Sequence, residues 1–473
     1  MVLANYEPKA VLAHFEAISQ IPRGSGNEKA VSDFIAAWAK NLGLKTVQDD
    51  WNNLIIYKPA TPGNEAKTTV MLQAHLDMVC EKNAGVEFDF LNDPLDLYVD
   101  GDLIRARGTT LGGDNGIGVA LAMAVLEATG ISHPAIEVVL TVDEEAGMTG
   151  AKNIDASLLS AGKMINLDSG HENYFTMGCA SGTTAEFFLP ASWETATAQG
   201  YKLNVKGLKG GHSGIDITDD RGNAIRIMAQ VLSNLKEAGV KIASIQGGMK
   251  VNAIPREAEA VITLDAAPDA ILEKYRETLK QQFRAGDPGI QLTWEKATPE
   301  KTMSATNTNN LISSLLLLPL GVISMSLEIE GLPNASSNIG VIETRPDGVM
   351  VYIMPRGAAG LYNAQTEAVI KAVAGFVGAN VSFSSRSPAW PYNPDSPMLK
   401  VAIEAYKNVF NRDPQVTATH GGLECGIFVD MLPGLDAIAF GPDTHDVHTP
   451  DESMSISSVG RVWVWLQKLL GEL

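Results

Sequence analysis

Hydrophobic positions recur every three to four residues across residues 8–42, which predicts two amphipathic helices. Ile21-Pro22-Arg23-Gly24-Ser25-Gly26 interrupts the pattern between them, and Gly43 follows as a C-cap. From about residue 51 to 170 the pattern changes to short apolar runs interleaved with helical stretches. Residues 54–57, 70–74, 136–142 and 164–167 read as strands, and the helix-like stretch 116–128 is rich in alanine and leucine. Residues 95–106 read as a hairpin that turns at Asp100-Gly101. Strands alternating with helices predict an α/β layer on a mixed, mostly parallel sheet.

Near residue 183 the character changes. Strand-like runs at 201–205, 258–264 and 349–353 are separated by long helices predicted at 223–238 and 364–376. A short echo, Asn252-Ala253-Ile254 and Asn338-Ile339-Gly340, each ahead of a strand, suggests two related halves. The α/β pattern resumes after about residue 395, with a helix at 397–410 and a strand at 435–440. An α+β domain inserted into an α/β core accounts for the return: residues 1–184 and 395–473 form the core, and 185–394 the insertion.

Composition narrows the function. A chain of 473 residues calls for two or three domains, and its 45% hydrophobic and 19% charged residues are those of a globular protein. The net charge of -19 would repel a phosphate backbone, which excludes nucleic-acid and anionic-membrane partners. Cys80, Cys179 and Cys425 are scattered and form no C-x-x-C pair, so neither a disulfide framework nor a cysteine-built zinc site is expected. The first residues lack a basic stretch followed by an apolar core, and the longest apolar run, near 315–320, contains Pro319. A cytoplasmic compartment is expected.

Acidic residues gather where the predicted strands end. His75 and Asp77 close one strand, and their i, i+2 spacing on extended backbone turns both side chains to one side. Glu144 and Glu145 follow the strand at 136–142, Asp168 follows the one at 164–167, and Asp114 precedes a helix. In an open α/β sheet, ligands bind beyond the carboxyl ends of the strands. Carboxylates crowded there repel one another and call for a cation. Mixed histidine and carboxylate donors suit zinc, cobalt or manganese better than magnesium or calcium. Taken singly, Asp114 also reads as a helix N-cap, Glu144-Glu145 as a solvated turn and Asp168 as a turn residue. Gly116-x-Gly118 lacks the third glycine of a dinucleotide fingerprint, and neither H-E-x-x-H nor G-x-S-x-G occurs.

An ordered set of motifs resembles the M20 metallopeptidases, in the superfamily of co-catalytic zinc aminopeptidases, carboxypeptidases and deacylases. It comprises Ile21-Pro22-Arg23-Gly24-Ser25-Gly26-Asn27-Glu28, Ala74-His75-Leu76-Asp77-Met78-Val79 and Gly108-Thr109-Thr110-Leu111-Gly112-Gly113-Asp114-Asn115-Gly116. Asp143-Glu144-Glu145, Asn166-Leu167-Asp168, Gly210-Gly211-His212-Ser213-Gly214 and Asn252-Ala253-Ile254-Pro255 continue it. His420-Gly421-Gly422-Leu423-Glu424-Cys425-Gly426 and His448-Thr449-Pro450-Asp451-Glu452 complete it, and the former points to the dipeptidase branch.

The resemblance implies two divalent ions per chain, zinc first, with cobalt or manganese as alternatives. His75 and Asp168 would bind one, Glu145 and His448 the other, and Asp114 both. His448 is chosen over His445 because Pro450-Asp451-Glu452 follows it. Asp77 would orient His75, and Glu144 would be the general base. His212, in the inserted lid, would stabilise the oxyanion. Asn252, Arg356, His420 and Glu424 would contact substrate, although the residues after Arg356 depart from the family pattern. The implied activity is hydrolysis of short peptides, Xaa-His dipeptides included, by a cytoplasmic homodimer. An N-acyl-amino-acid deacylase or a carboxypeptidase of the same superfamily is the alternative.

Overall fold

The computed structural model describes residues 2–473, which fall into two compact units. The first comprises residues 2–178, 392–418 and 423–473; the second comprises 179–391 with 419–422. In sequence, the second is thus contained within the first.

The first unit opens with helices α1 (Lys9–Ser19) and α2 (Lys29–Asn41), which bury Val11, Leu12 and Phe15 and then Val31 and Ile35. Its strands begin with β1 (Lys45–Gln48), β2 (Leu54–Lys58) and β3 (Val70–His75). The hairpin β4 (Leu97–Asp100) and β5 (Leu103–Ala106) turns where Asp100-Gly101 predicts it, with Gly101 at φ 62°. Strands β6 (Ile136–Thr141), β7 (Lys163–Asn166) and β8 (Tyr174–Cys179) follow. The main sheet runs β1-β2-β6-β3-β7, then the strand Asp436–Ala439, then β8 and Gln415–Thr419. β6, β3, β7 and Asp436–Ala439 are mutually parallel, while β1, β2 and β8 pair antiparallel at the flanks. The central strands β3 and β6 are buried at every residue, which explains their unbroken apolar runs.

Helix α3 (Gly113–Glu127) packs on β3 and α1, and every residue from Ile117 to Leu126 is buried. A helix apolar all round belongs inside, and this one lies against the sheet. Its regular turns begin at Gly116; Asp114 and Asn115 are non-helical, with ψ 110° at Asp114. The helix cap position is Gly112, at φ 64°, so the N-cap reading of Asp114 does not hold.

In the second unit nine strands form one sheet. Its order is Gln291–Ala297, Gln199–Lys206, Ala258–Leu264, Lys241–Gly247, Pro333–Arg345, Gly348–Gly357, Ser181–Pro190 and Asn380–Ser387, with Gly321–Met325 added beside Pro333–Arg345. All of these pairs are antiparallel. Two ladder pairs, Gln246 with Glu343 and Gly247 with Ile342, join the strand Lys241–Gly247 to Pro333–Arg345, and Thr344 Oγ1 adds hydrogen bonds to the backbone of Ile245. The helix expected at 223–238 is α-helical over Ala224–Asn234 and then tightens to a 3-10 turn, Lys236–Ala238, that stops at Gly239. The segment Asn338-Ile339-Gly340 does not precede a strand but lies inside one, at a bulge between Ile339 and Val341. Gly340 is required there because a Cβ would stand 2.3 Å from the carbonyl oxygen of Val251. Asn338 donates from Nδ2 to the carbonyls of Val251 and Ala253, at 3.2 and 2.8 Å, so the two echoed segments touch each other.

Candidate metal centre

The parallel strands deliver their C-terminal ends side by side, and the acidic residues follow from that. β3 ends in His75; β6 leads through Asp143, at φ 58°, into a single helical turn, Glu144–Gly147; β7 leads to Asp168. The loop between the short strands Thr444–His445 and Ser453–Ser455 carries His448. His445 is exposed in the first of them.

These ends converge. His75 Nε2 lies 3.1 Å from Asp114 Oδ1 and 3.7 Å from Asp168 Oδ1. His448 Nε2 lies 3.3 Å from Asp114 Oδ2 and 2.9 Å from Glu145 Oε1. The two oxygens of Asp114 therefore face different histidines. Two donor triads result, His75-Asp114-Asp168 and Asp114-Glu145-His448, with donor atoms in each within 4.8 Å of one another. A third grouping at the same spacing joins Glu144 to His75 and Glu145.

Asp77 organises this geometry from beneath. It is fully buried, and its Oδ1 stands 3.2 Å from His75 Nδ1, which leaves Nε2 to face the carboxylates. The same carboxylate accepts hydrogen bonds from Ser25 Oγ at 2.8 Å and from the backbone N–H groups of Glu144 and Glu145 at 3.1 and 3.2 Å. One side chain thus fixes an imidazole and the turn that carries two carboxylates. Burial works against its charge, but His75, Ser25 and these amides prevail and hold its pKa at about 2.

Electrostatics across the centre favour positive charge there. Burial pushes the Glu144 carboxyl up to about 8, reinforced by the charges of Glu424, Glu145 and Asp114 against the opposing pull of His75. Asp168 is held well above the usual carboxylate range by burial and by Asp114. His448 rises to about 10 through its hydrogen bonds to Asp114 and Glu145. Burial lowers the affinity of His75 for a proton, yet its bonds to Asp114 and Asp77 keep it well above the ordinary imidazole value. Protons are standing where positive charge is wanted. Two imidazole nitrogens and three carboxylates, one with its oxygens split between the two triads, fit a pair of divalent cations.

The second unit gathers four of the residues expected to meet substrate. His212 ends the short strand Gly211–His212, which pairs with Ala253–Ile254, and Ser213 N donates to the carbonyl of Asn252 at 2.8 Å. Arg356 is 6% exposed; its Nε donates to Ser213 Oγ at 3.4 Å, and it forms no ion pair among the described residues. Burial lowers its guanidinium to about 10. Ser336, opposite Arg356 in register, places Oγ 2.7 Å from His420 Nε2. Burial, then the Arg356 charge, lowers His420 to about 4, so it is neutral at pH 7.

Glu424, expected among the substrate contacts with His420, belongs to the first unit and His420 to the second. Glu424 is 1% exposed at the start of the helix Glu424–Met431 and accepts from Gln73 Nε2 and Thr141 Oγ1 at 2.5 and 2.6 Å. Both bonds reach Oε2, while Oε1 is buried with no hydrogen-bond partner among the described residues. Burial raises it to about 8. Gln73, Thr141 and Asn166 stand two residues before His75, Asp143 and Asp168, and form a buried polar row that the sequence reading missed. A polar residue closing an otherwise apolar strand was the available signal. Arg23 was quoted only as part of a motif, yet it is 2% exposed and donates from Nη1 to the carbonyls of Leu76 and Asp77 at 2.8 and 2.9 Å.

Residues 71–472 match the family described as Peptidase family M20/M25/M40. The chain is 36% identical over 479 residues to the cytosol non-specific dipeptidase of Escherichia coli (strain K12), covering 100% of this chain and 99% of that protein. It superposes on the crystal structure of aminoacylhistidine dipeptidase from Vibrio alginolyticus with a TM-score of 0.88 and 36% identity, covering 99% of this chain and 97% of the other. The aminopeptidase PepT from Bacillus cereus, at TM-score 0.63 and 16% identity over 99% of both chains, shares the fold.

Proposed function

The chain belongs to peptidase family M20/M25/M40, a metal-dependent peptidase by descent, and on that premise we propose that it is a dipeptidase acting on short peptides with a free amino terminus, Xaa-His dipeptides among them. The observation that carries the reading is the split of Asp114, Oδ1 towards His75 and Oδ2 towards His448, with Glu144 beside Glu145.

His75 and Asp168 are proposed to hold one ion, Glu145 and His448 the second, and Asp114 both; zinc is proposed on the mixed donor set, with cobalt or manganese as substitutes. Bound divalent ions polarise a scissile carbonyl and make water acidic enough to attack at neutral pH. Glu144 is the proposed general base. It takes a proton from the attacking water at its carboxylate and passes it to the departing amine. Its neighbour Glu145 is committed to His448, so the two adjacent carboxylates divide the work. With cations present, the same carboxyl that is pushed up to about 8 ionises more readily and enters the range useful for a base at neutral pH.

The inserted unit is proposed as a lid. Within it, Arg356 is the proposed partner of the substrate carboxylate, since a guanidinium binds a carboxylate through two parallel hydrogen bonds. Asn252 and His420 are the proposed accompanying contacts, and His212 the donor to the oxyanion. A homodimer formed through this unit and a cytoplasmic location complete the reading. Light scattering at a single species of 50.4 kDa would refute the dimer.

The test is a panel of dipeptides assayed after chelation and metal readdition, with metal content measured in parallel. Release of free histidine from a Xaa-His dipeptide, restored in step with two bound ions, is the expected result. Turnover of N-acetylated amino acids in place of unblocked dipeptides would move the assignment to a deacylase, a reading that the full-length dipeptidase relative disfavours.

A further inference from the structure

Glu452 is 2% exposed and is a member of neither triad. Its carboxylate occupies a concavity of four consecutive backbone amides. Oε2 accepts from Leu111 N and Gly112 N at 2.7 and 3.0 Å, and Oε1 from Gly113 N and Asp114 N at 2.8 and 3.3 Å. The last of these amides belongs to the residue shared by the two triads. Glycine is needed at Gly112, where φ is 64° and a Cβ would stand 2.6 Å from Arg23 Nη2; a Cβ on Gly113 would stand 3.3 Å from Glu452 Oε1, a tight approach only.

At its other end Glu452 is tied to His448. Glu452 N donates to the Thr449 carbonyl at 3.1 Å, and Thr449 Oγ1 donates to the Asp446 carbonyl at 2.7 Å, so residues 446–452 form a closed turn. Arg23 holds the same loop from the opposite direction, donating from Nη2 to the Gly112 carbonyl at 2.5 Å while Nη1 reaches the strand exit after His75. The segments bearing His75, Asp114 and His448 are therefore linked in series by two buried charges of opposite sign. A carboxylate that receives four amide hydrogens at once is a charge-assisted contact and resists displacement.

We propose that Glu452 is a positioning residue that sets Asp114 Oδ2 against His448 and so determines affinity for the second of two metal ions. This rests on the two-ion reading above. The prediction is asymmetric. In Glu452→Gln, one acceptor oxygen becomes an NH₂ group that faces amide donors, and the Asp114 loop must draw away from the His448 turn. The His75-Asp168 pair is anchored elsewhere, by Asp77 and the strand ends.

The experiment is a zinc titration of the full chain against a competing chelator, read as two stepwise dissociation constants. Supporting residues of metal sites change affinity by about 10–100-fold when altered. Glu452→Gln is expected to weaken the second step by that factor and the first by less than about threefold, with turnover recovered at high zinc. Glu137→Gln is the control. Glu137 is a buried carboxylate that accepts from Ser160 N and Ala161 N near the opposite end of β6, and its loss should lower Tm with both constants unmoved. Equal changes in both steps for Glu452→Gln, no change in either, or the same pattern in Glu137→Gln would overturn the proposal. Should Glu452→Gln not fold, Glu452→Asp, charged but a methylene short of all four amides, reads the same ratio of constants. If the unaltered chain binds fewer than two ions, the two-ion reading fails. If it binds two and the ratio does not move, only the role of Glu452 fails.

Discussion

The metal centre of the first unit and the Arg356 cluster of the second are opposite solutions of one electrostatic problem. In the first, carboxylates are crowded at the ends of parallel strands, and burial lifts Glu144 to about 8. In the second, burial lowers Arg356 to about 10 and His420 to about 4, with no carboxylate paired to the guanidinium among the described residues. Desolvation penalises charge of either sign, so each region holds a charge that protein groups alone leave incompletely balanced. The difference lies in what completes them. In the proposed function, cations complete the first, and the single negative charge at the end of a peptide completes the second. Function is carried here by deliberate imbalance, whereas the exposed ion pairs, such as Lys29 with Asp33, are internally neutral and contribute little.

The largest expected effect tests the acidic side. Glu144→Ala should lower kcat by about 10²–10⁴ with both ions still bound, because a general base is worth that much and Glu144 lies outside both triads. Retained turnover would remove Glu144 as the base and with it the division of labour with Glu145. Next comes the basic side. Arg356→Met should cost about 1.5–3 kcal/mol of transition-state binding, seen as a loss of about 10–150-fold in kcat/KM that falls mainly on KM. Because a desolvated charge is removed, its Tm should not drop. An unchanged KM would dissolve the contrast between the two regions.

Chelation sharpens the contrast through stability. Ligand binding at 100 times Kd stabilises by about 2.7 kcal/mol, so metal-free protein should melt at lower temperature and recover on readdition. The Arg356→Met variant should show the same metal-dependent increment, since that residue belongs to the other unit. The smallest effect is one of pH. The folded value of His420, about 4, lies below the 6.5 of the unfolded chain. The unfolded state therefore takes up its proton first as pH falls. The stability contributed by the neutral ring is complete above about pH 6.5 and drains away towards pH 4, with about 2 kcal/mol lost by pH 5. Urea midpoints measured from pH 7 to 5 should fall less steeply in His420→Gln. Equal slopes would mean that the ring is not held neutral by burial.

Much of this was legible because it is local. The spacing of His75 and Asp77 pointed both side chains one way at a strand exit; β3 ends at His75, and the structure turns Nδ1 of His75 to the carboxylate of Asp77 just beyond it. The adjacency of Glu144 and Glu145 after an apolar run located the turn that β6 feeds. The hairpin at Asp100-Gly101 and the buried helix α3 were visible for the same reason: turn chemistry and hydrophobic period act over a few residues. His420 and Glu424 are four residues apart, yet the chain passes from one unit to the other between them, which their spacing does not announce. Arg23 and Glu452 carried no sign of their work, and the row of Gln73, Thr141 and Asn166 only that of polar residues late in apolar strands, because each acts on backbone or side chains far along the chain.

The sequence by itself determined the chemistry of the donors, their position at strand ends and the α/β character of the core that carries them. It also placed an unlike segment between the two stretches of that core. The tertiary structure decided which oxygen faces which nitrogen. His448 meets Glu145 across 303 residues, and Glu452 meets Leu111 across 341. No periodicity reaches that far. Such contacts exist because β6, β3 and β7 lie side by side in parallel, so that their loops open at one end of the sheet and the C-terminal turn can close against them.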